Sequence, residues 1–477
     1  MKYFGLVLGI LTVITLIRLP IIADYLAFTS DMGSYLMTKN WVLGDDPTGQ
    51  KLAHFRPPLV GYLLVPFTSL FGALTGSKIL AVISSTFIGI PFWLIVRKYV
   101  HPALAVALTV VFVFIPYYAD YTAWGYLTLL GLAGLLLAYN GLILTLNQER
   151  WGRLILCVSM VGLAALNQTA LAIFLIIAFV DLITSPRNKW FTIKTLIAGS
   201  ILCLVWAPFY LLHVPLTHGL MLDAPLFSFQ VSVYVWLYAI GIVTAIALAP
   251  HRSMWLLPVT IVIAVLGQLH SSDIVINNVM VRSVYVLPFL LVFAGGLAIE
   301  ERIVKHWRSL YVVPAVVVCV CVLGLGAYWH VKFSEAADHL DMLNSENLAA
   351  VHWIGDNTPT DSVVFSHPMG LGYYVGALSP RAWSGSWWRL APEEFRGEQA
   401  ALNCTLGWSV DCDPYEFKTT FGYDFILWDS RTWQEIFGKK DHFMKGWAIT
   451  TDLPWLTVEY QYQGVYVYQL ASPDIKN

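Results

Sequence analysis

Charged residues are scarce in this sequence. Asp, Glu, Lys and Arg supply 12% of its 477 residues, about half the share found in soluble domains. The net charge of −2 gives no basic surface, which argues against nucleic acid as a partner. No glycine-rich nucleotide loop and no His and Cys cluster with zinc spacing is present. Nucleotide-binding and zinc-dependent functions are therefore disfavoured, and nothing argues positively for a divalent metal or another cofactor.

Hydrophobic residues, by contrast, make up 57% of the chain. Runs such as 158–180 and 312–328 are too long and too apolar for surface helices, so they are predicted to cross a bilayer. The apolar run within Met1 to Pro20 has no small-residue cleavage pattern after it. It is therefore predicted to be an uncleaved first span.

Basic residues cluster between the apolar runs, and the positive-inside rule places these clusters in the cytoplasm. The clusters are Arg97 with Lys98, Arg150 with Arg153, Arg187 with Lys189 and Lys194, Arg252, and Arg302 with Lys305 and Arg308. The resulting spans are 3–22, 77–97, 102–118, 126–146, 152–166, 169–185, 192–212, 230–249, 254–269, 279–298 and 310–330. The prediction is a multi-pass cell-membrane protein with a cytoplasmic N-terminus and an extracytoplasmic C-terminus.

The predicted fold is a polytopic α-helical membrane domain, residues 1–333, followed by an extracytoplasmic soluble α/β domain, residues 334–477. The first outer loop, about 23–76, is the longest loop. Its apolar stretch from Pro57 to Gly72 is predicted to lie along the interface, because a span there would move the Arg97 cluster outside.

The C-terminal domain is predicted from a change of periodicity near Ser334. The predicted elements are a helix at 335–357, strands at 362–365 and 423–428, a helix through Ile436, and a hairpin of 456–462 with 464–470. Two cysteines of this domain, Cys404 and Cys412, form either a disulfide or two free thiols.

Asp31 and Tyr35 begin the polar part of the first outer loop. A lone carboxylate just beyond the first span suits a general base, which an acceptor and a bound lipid must both reach. The alternative is a helix N-cap, because Ser30 and Asp31 precede a predicted interfacial helix at 32–43.

Arg56, close to His54, precedes two prolines that fix an extended entry into the interfacial helix. A guanidinium at headgroup depth suits a phosphate, because its planar fork donates two hydrogen bonds. The alternative is an arginine that binds no phosphate, whose apolar stem lies along apolar surface while its charged head reaches the interface.

Taken in order, these features resemble the GT-C superfamily of membrane glycosyltransferases. The similarity is greatest to the branch with protein O-mannosyltransferases and the lipid A aminoarabinose transferase. It rests on an early Asp, a basic residue before Pro57-Pro58-Leu59, and an interfacial helix ending in Phe71-Gly72. Arg282-x-x-Tyr285-x-x-Pro288 resembles a motif that opens a late span in such enzymes. Residues 351–381 resemble the soluble tail of many members.

The resemblance implies an inverting glycosyltransferase that moves a monosaccharide from a polyprenyl-phosphate donor to an acceptor glycan, lipid or protein. Asp31 matches the catalytic base, Arg56 matches a basic residue that contacts the donor phosphate, and Arg282 is a second contact to the phosphate or to the sugar. Tyr35, His54, Asp120 and Tyr285 are the further expected substrate contacts. Mannose is favoured as the sugar, and arabinose-type sugars stay open.

The chain also departs from the family pattern. Met32 follows Asp31 where many members have a second carboxylate, and no acidic residue occupies 124–126 at the fourth span. Asp120 either substitutes there or is a solvated loop residue. Aromatic residues at 117–126 either stack on sugars or form an interfacial belt. The rival hypothesis is a lipid or glycolipid transporter, although no repeat symmetry is visible.

Overall fold

The computed structural model describes residues 3–23, 25, 30–44, 58–184, 189–206, 227–229, 232–271, 274–304, 324–335, 343–366, 372–379, 381–384, 422–429 and 456–470. The chain divides into two compact units. The helical unit comprises Met1–Ala23, Ile79–Leu212 and Leu220–Ala336, and the mixed unit comprises Asp24–Lys78, His213–Gly219 and Ala337–Asn477. The domain division at 333 stays a prediction.

Helices occupy the places of the predicted spans. Their bounds are Phe4–Ala23, Ala73–Phe87, Gly89–Val96, Pro102–Val113, Pro116–Trp124, Tyr126–Leu146, Gly152–Leu166, Gln168–Thr184, Lys189–Cys203, Val233–Leu248, Pro250–Ser253, Leu256–Leu266, Ile274–Ser283 and Leu287–Ile299. A further helix covers 324–335 and overlaps the end of the last predicted span. Apolar runs form helices because a bilayer offers the backbone no other hydrogen-bond partners.

Five helical stretches within the described residues are long and apolar enough to cross a membrane. They are Phe4–Ala23, Ala73–Val96, Tyr126–Leu146, Lys189–Trp206 and Val279–Arg302. A sixth is a broken pair, Pro102–Val113 and Pro116–Ala123, which bends by 53°. These stretches support a multi-pass membrane fold. Because the other apolar helices are shorter, the number of eleven spans stays a prediction.

The helical unit is held together by a continuous apolar core between its spans. Phe92 and Phe112 stack at 4.2 Å, and Phe289 meets Phe92 edge to face at 5.9 Å. Phe92, Phe112 and Phe293 are fully buried. Offset and edge-to-face aromatic pairs add specificity to this packing, because their ring quadrupoles prefer these arrangements.

Two helices of the first loop lie in the mixed unit, at Ser30–Leu43 and Pro58–Phe71. They pack closely at Gly61, where an added Cβ would lie 2.8 Å from the Thr38 carbonyl oxygen. The second helix matches the apolar stretch predicted for the interface. The first begins at Ser30, two residues before the predicted start, and the N-cap interpretation stays a prediction because the side chains of Ser30 and Asp31 lie outside the described residues.

The C-terminal part of the mixed unit contains a five-stranded sheet. Outside this sheet, β1 (Phe227–Phe229) and β2 (Leu269–Ser271) pair with each other. The strands of the five-stranded sheet are β3 (Val363–Phe365), β4 (Ala382–Ser384), β5 (Phe425–Asp429), β6 (Leu456–Tyr462) and β7 (Val465–Leu470). Its order is β4-β3-β5-β7-β6, with β3 parallel to β4 and β5 and the last two strands antiparallel.

The turn between β6 and β7 lies where alternation predicts a hairpin. Gln463 and Gly464 both have positive φ, at 44° and 89°, as a tight type I′ connection requires. The single helix predicted at 335–357 is wrong, because separate helices cover 324–335 and Ser345–Asn357. The second one starts there because the Asn344 side chain accepts a hydrogen bond from the Asn347 N–H, which caps it.

Arg381 fastens the end of this helix to the start of β4. Its Nε donates to Thr358 Oγ1 at 3.1 Å, and its NH2 donates to the carbonyls of Gly355 and Thr358, both at 2.7 Å. These are carbonyls that a helix end leaves without intrahelical partners. Arg381 is only 5% exposed, so water cannot readily replace it.

Arg381→Met should therefore lower the free energy of unfolding of the mixed unit by about 2–4 kcal/mol, because buried carbonyls lose charged donors. Pulse proteolysis of the full chain in increasing urea measures this loss. Gln461→Met, at an exposed position, serves as control and should change little. An unchanged urea midpoint for Arg381→Met would contradict the stabilising role of the Arg381 hydrogen bonds.

Candidate functional site

The motif Arg282-x-x-Tyr285-x-x-Pro288 lies at a change in helix geometry. Arg282 lies in the last turn of Ile274–Ser283, and Tyr285 lies in a 3-10 turn, Val284–Val286. Pro288 then occupies the start of Leu287–Ile299, where its missing N–H has no helical partner to lose. The three-residue spacing brings the guanidinium of Arg282 against the phenol of Tyr285, and the two side chains interact.

A cluster of tyrosines surrounds this motif. Tyr121 lies closest, with its ring centroid 4.3 Å from that of Tyr285, and Tyr117 lies 5.9 Å away. Tyr118 donates a hydrogen bond of 3.4 Å from its hydroxyl to the backbone carbonyl of Tyr285. All three belong to the second half of the broken span, Pro116–Trp124.

These tyrosines are therefore turned toward the protein. Tyr118 is only 1% exposed, and Tyr117 and Tyr121 are half-buried. They pack on one another and on Tyr285, and whether they also belong to an interfacial belt stays a prediction. Asp120 belongs to the same helix, and its side chain lies outside the described residues.

Arg282 and Tyr285 line a small cavity that is partly open to the outside. Its other lining residues are Thr128, Leu132, Leu135, Asn167, Thr169, Ala170, Ile173 and Val286. Most of this wall is apolar, whereas the charge comes from the single guanidinium of Arg282. A cation and hydroxyl groups beside an apolar wall suit an anionic group attached to a hydrocarbon chain.

Asn167 shapes the wall of this cavity. Its Oδ1 accepts a hydrogen bond of 3.0 Å from the Ala170 N–H, which caps the helix Gln168–Thr184. It approaches Gly131 so closely that an added Cβ there would lie 2.5 Å from the Asn167 Nδ2. Asn167 thus forms the turn between the helices Gly152–Leu166 and Gln168–Thr184.

Asp31 and Tyr35 lie on the helix Ser30–Leu43 of the mixed unit. The helix packs closely on Tyr373 at Gly33, where an added Cβ would lie 2.8 Å from Tyr373 Cβ. Asn40 also fixes it, because its Nδ2 donates a hydrogen bond of 3.0 Å to the Ala377 carbonyl. Tyr35 is only 2% exposed. The side chain of Asp31 lies outside the described residues, so its position is known only from the helix backbone.

Several other candidates also lie outside the described residues. These are His54, Arg56, Cys404 and Cys412. Of the predicted site residues, the structure brings together Arg282 and Tyr285. Among the described residues, no group of three His, Cys, Asp or Glu side chains is arranged to bind a metal.

The sequence patterns did not single out Thr128, Thr169 or Arg18. Thr128 and Thr169 line the cavity, but threonines inside apolar runs give no distinguishing pattern. Arg18 is an arginine inside the first apolar run, and it is fully buried. An intramembrane arginine is costly, so its presence in the sequence was a usable signal.

Comparisons with known proteins agree with a membrane glycosyltransferase fold. The family model described as dolichyl-phosphate-mannose-protein mannosyltransferase matches residues 55–212, less than half of the chain. A search of curated protein sequences gave no match.

Solved structures show the likeness over nearly the whole chain. ArnT from Cupriavidus metallidurans bound to undecaprenyl phosphate superposes with a TM-score of 0.61 at 13% identity, covering 99% of both chains. The Archaeoglobus fulgidus oligosaccharyltransferase gives 0.61 at 12% identity, covering 90% of this chain and 70% of that one. The mycobacterial arabinofuranosyltransferase AftD gives 0.60 at 15% identity, covering 97% and 40%. The chain spans less than half of AftD, and at these identities the likeness is one of fold.

Proposed function

We propose that this chain is an inverting membrane glycosyltransferase of the GT-C superfamily, in its ArnT-like and protein mannosyltransferase-like branch, because its fold is similar to that of ArnT and a mannosyltransferase family model matches part of it. Its donor is a monosaccharide linked to a polyprenyl phosphate. Its acceptor carries a hydroxyl group and is a glycan, a lipid or a protein. Mannose is the first sugar to test, followed by arabinose-type sugars.

The observation that carries this proposal is the cavity beside Arg282. Arg282, Tyr285, Thr128 and Thr169 are among the residues that line this space, and most of its wall is apolar. A phosphate that bears a hydrocarbon tail matches both parts of this lining. ArnT, which shares the fold, was solved with undecaprenyl phosphate bound. We assign Arg282 and Tyr285 to the donor phosphate.

The transfer itself needs a base and a leaving group. The acceptor oxygen attacks the anomeric carbon, its bond to carbon forms as the bond from that carbon to the phosphate oxygen breaks, and the lipid phosphate leaves with the electron pair. Asp31 takes the proton of the acceptor hydroxyl. A single displacement of this kind inverts the anomeric configuration.

The remaining candidates take supporting roles in this proposal. Arg56 contacts the donor phosphate, and Tyr35, His54 and Asp120 contact the substrates. The reaction takes place on the extracytoplasmic side of the cell membrane, where residues 334–477 form the soluble domain. The N-terminus is cytoplasmic in this arrangement.

A turnover assay tests the proposal. Purified protein in detergent is given a panel of polyprenyl-phosphate monosaccharides with hydroxyl acceptors, and release of the polyprenyl phosphate is measured. We expect turnover with at least one donor and none with the matching nucleotide sugar. Movement of labelled lipid across proteoliposomes without any sugar transfer would instead favour the rival lipid or glycolipid transporter.

A further inference from the structure

Arg18 is a fully buried arginine inside the first apolar helix, Phe4–Ala23. Within the described part of the chain it has no carboxylate partner. Its charge is met by neutral groups and by two aromatic rings, those of Trp329 at 3.9 Å and Phe114 at 5.0 Å from the guanidinium carbon. A charge placed at such cost inside apolar surroundings calls for a specific function.

One hydrogen bond of Arg18 goes to the place where another span breaks. Its NH2 donates to the carbonyl of Val113 at 2.9 Å. In an unbroken helix that carbonyl would accept from the N–H of Tyr117, but the helix ends at Val113 and restarts at Pro116. Arg18 therefore supplies the donor that the break removes.

The other half of the guanidinium reaches a neighbouring span, Ala73–Val96. NH1 donates to the Ser85 carbonyl and hydroxyl, both at 3.3 Å, and to the Thr86 hydroxyl at 3.2 Å. These residues lie at the end of Ala73–Phe87, just before the next helix begins at Gly89. The planar fork of an arginine can bond to the broken span and to this neighbouring span at once, whereas a single ammonium group cannot.

The bend that Arg18 holds leads directly to the candidate site. After Val113 and Phe114 the chain enters Pro116–Trp124, whose tyrosines contact Tyr285. We propose that Arg18 is a positioning residue that fixes the bend of the broken span, so that Tyr118 and Tyr121 hold Tyr285 and Arg282 against the cavity. The link to donor binding rests on the proposed function, while the link to the bend does not.

Hydrogen exchange of the full chain in detergent tests the bend. Arg18→Gln should raise the exchange rates of amides in 116–124 about tenfold or more, because a buried charged donor is lost, and leave those in 152–166 unchanged. Thr86→Val, which removes one acceptor from the same fork, should raise the same amides about threefold. Arg153→Gln is the matched control, because this arginine also stacks on a ring, that of Phe191, away from the broken span.

Arg18→Lys should behave like Arg18→Gln, since it keeps the charge but loses the fork. Unchanged exchange in 116–124, full protection in Arg18→Lys, or an equal rise in 152–166 would each overturn the positioning role. If Arg18→Gln gives no folded protein, Thr86→Val tests the positioning role alone: unchanged exchange in 116–124, or an equal rise in 152–166, would overturn it.

Binding of undecaprenyl phosphate separates the two levels of the proposal. We expect Arg18→Gln to weaken binding about tenfold. The double variant with Tyr118→Phe should lose less affinity than the two single losses combined, because both residues act through Tyr285. If Arg282→Gln weakens binding and Arg18→Gln does not, the effect of Arg18 on the site is refuted. If Arg282→Gln binds as well as the wild type, the phosphate assignment fails instead, and hydrogen exchange still decides on the bend.

Discussion

Asp31→Asn is expected to lower kcat for sugar transfer by about 100-fold or more, because loss of a positioned general base usually removes that much rate. The amide is nearly isosteric with the carboxylate but cannot take a proton from the acceptor hydroxyl. Asn also suits the start of a helix, and Asp31 is the second residue of Ser30–Leu43, so folding should be preserved. Single-turnover transfer measured beside binding of undecaprenyl phosphate tests this prediction.

The binding measurement distinguishes chemistry from folding. Undecaprenyl phosphate should bind to Asp31→Asn as well as to the wild type, since the donor phosphate is assigned to other residues. Asp356→Asn is the control, because this carboxylate is exposed on Ser345–Asn357 and should leave kcat unchanged. Transfer by Asp31→Asn within a factor of three of the wild type would rule out the base role.

Arg282→Gln should raise the KM for the polyprenyl-phosphate donor by about 10- to 100-fold, because a charge-assisted contact to phosphate is lost in a partly buried site. Tyr285→Phe keeps the ring that packs against Tyr121 and removes only the hydroxyl, so its effect should be smaller. Arg282→Lys should fall between the wild type and Arg282→Gln, since it keeps the charge without the fork. Steady-state kinetics with varied donor measure all three.

Arg153→Gln serves as control here as well, because Arg153 is exposed and stacks on Phe191 away from the cavity. The KM for the acceptor should stay constant in every variant of this series. A donor KM that does not change in Arg282→Gln would mean that this arginine supports the cavity wall without contacting phosphate.

The helices were the part of the fold most open to prediction. A long apolar run in lipid must satisfy its own backbone, so Phe4–Ala23 and Tyr126–Leu146 follow almost directly from composition. The hairpin around Gln463-Gly464 follows from a local alternation and a turn that favours positive φ. The start of the loop helix was misplaced by two residues, because Ser30 and Asp31 suit either a cap or a first turn.

Facing directions inside the membrane were much harder to predict. A span that is apolar on every side has no amphipathic stripe to indicate which face packs inward. The tyrosines of Pro116–Trp124 therefore had two equally natural orientations, toward lipid or toward protein. Their contact with Tyr285 depends on the bend of the broken span, which long-range partners hold in place.

The sequence by itself determined that the chain is a multi-pass membrane protein, and the order of its short motifs indicated the superfamily, because these depend on composition and spacing. Only the tertiary structure brought Arg18 to the break at Val113 and Arg282 beside a cavity. Those contacts join segments far apart in the chain, and a buried charge finds its partners through packing that no local pattern records.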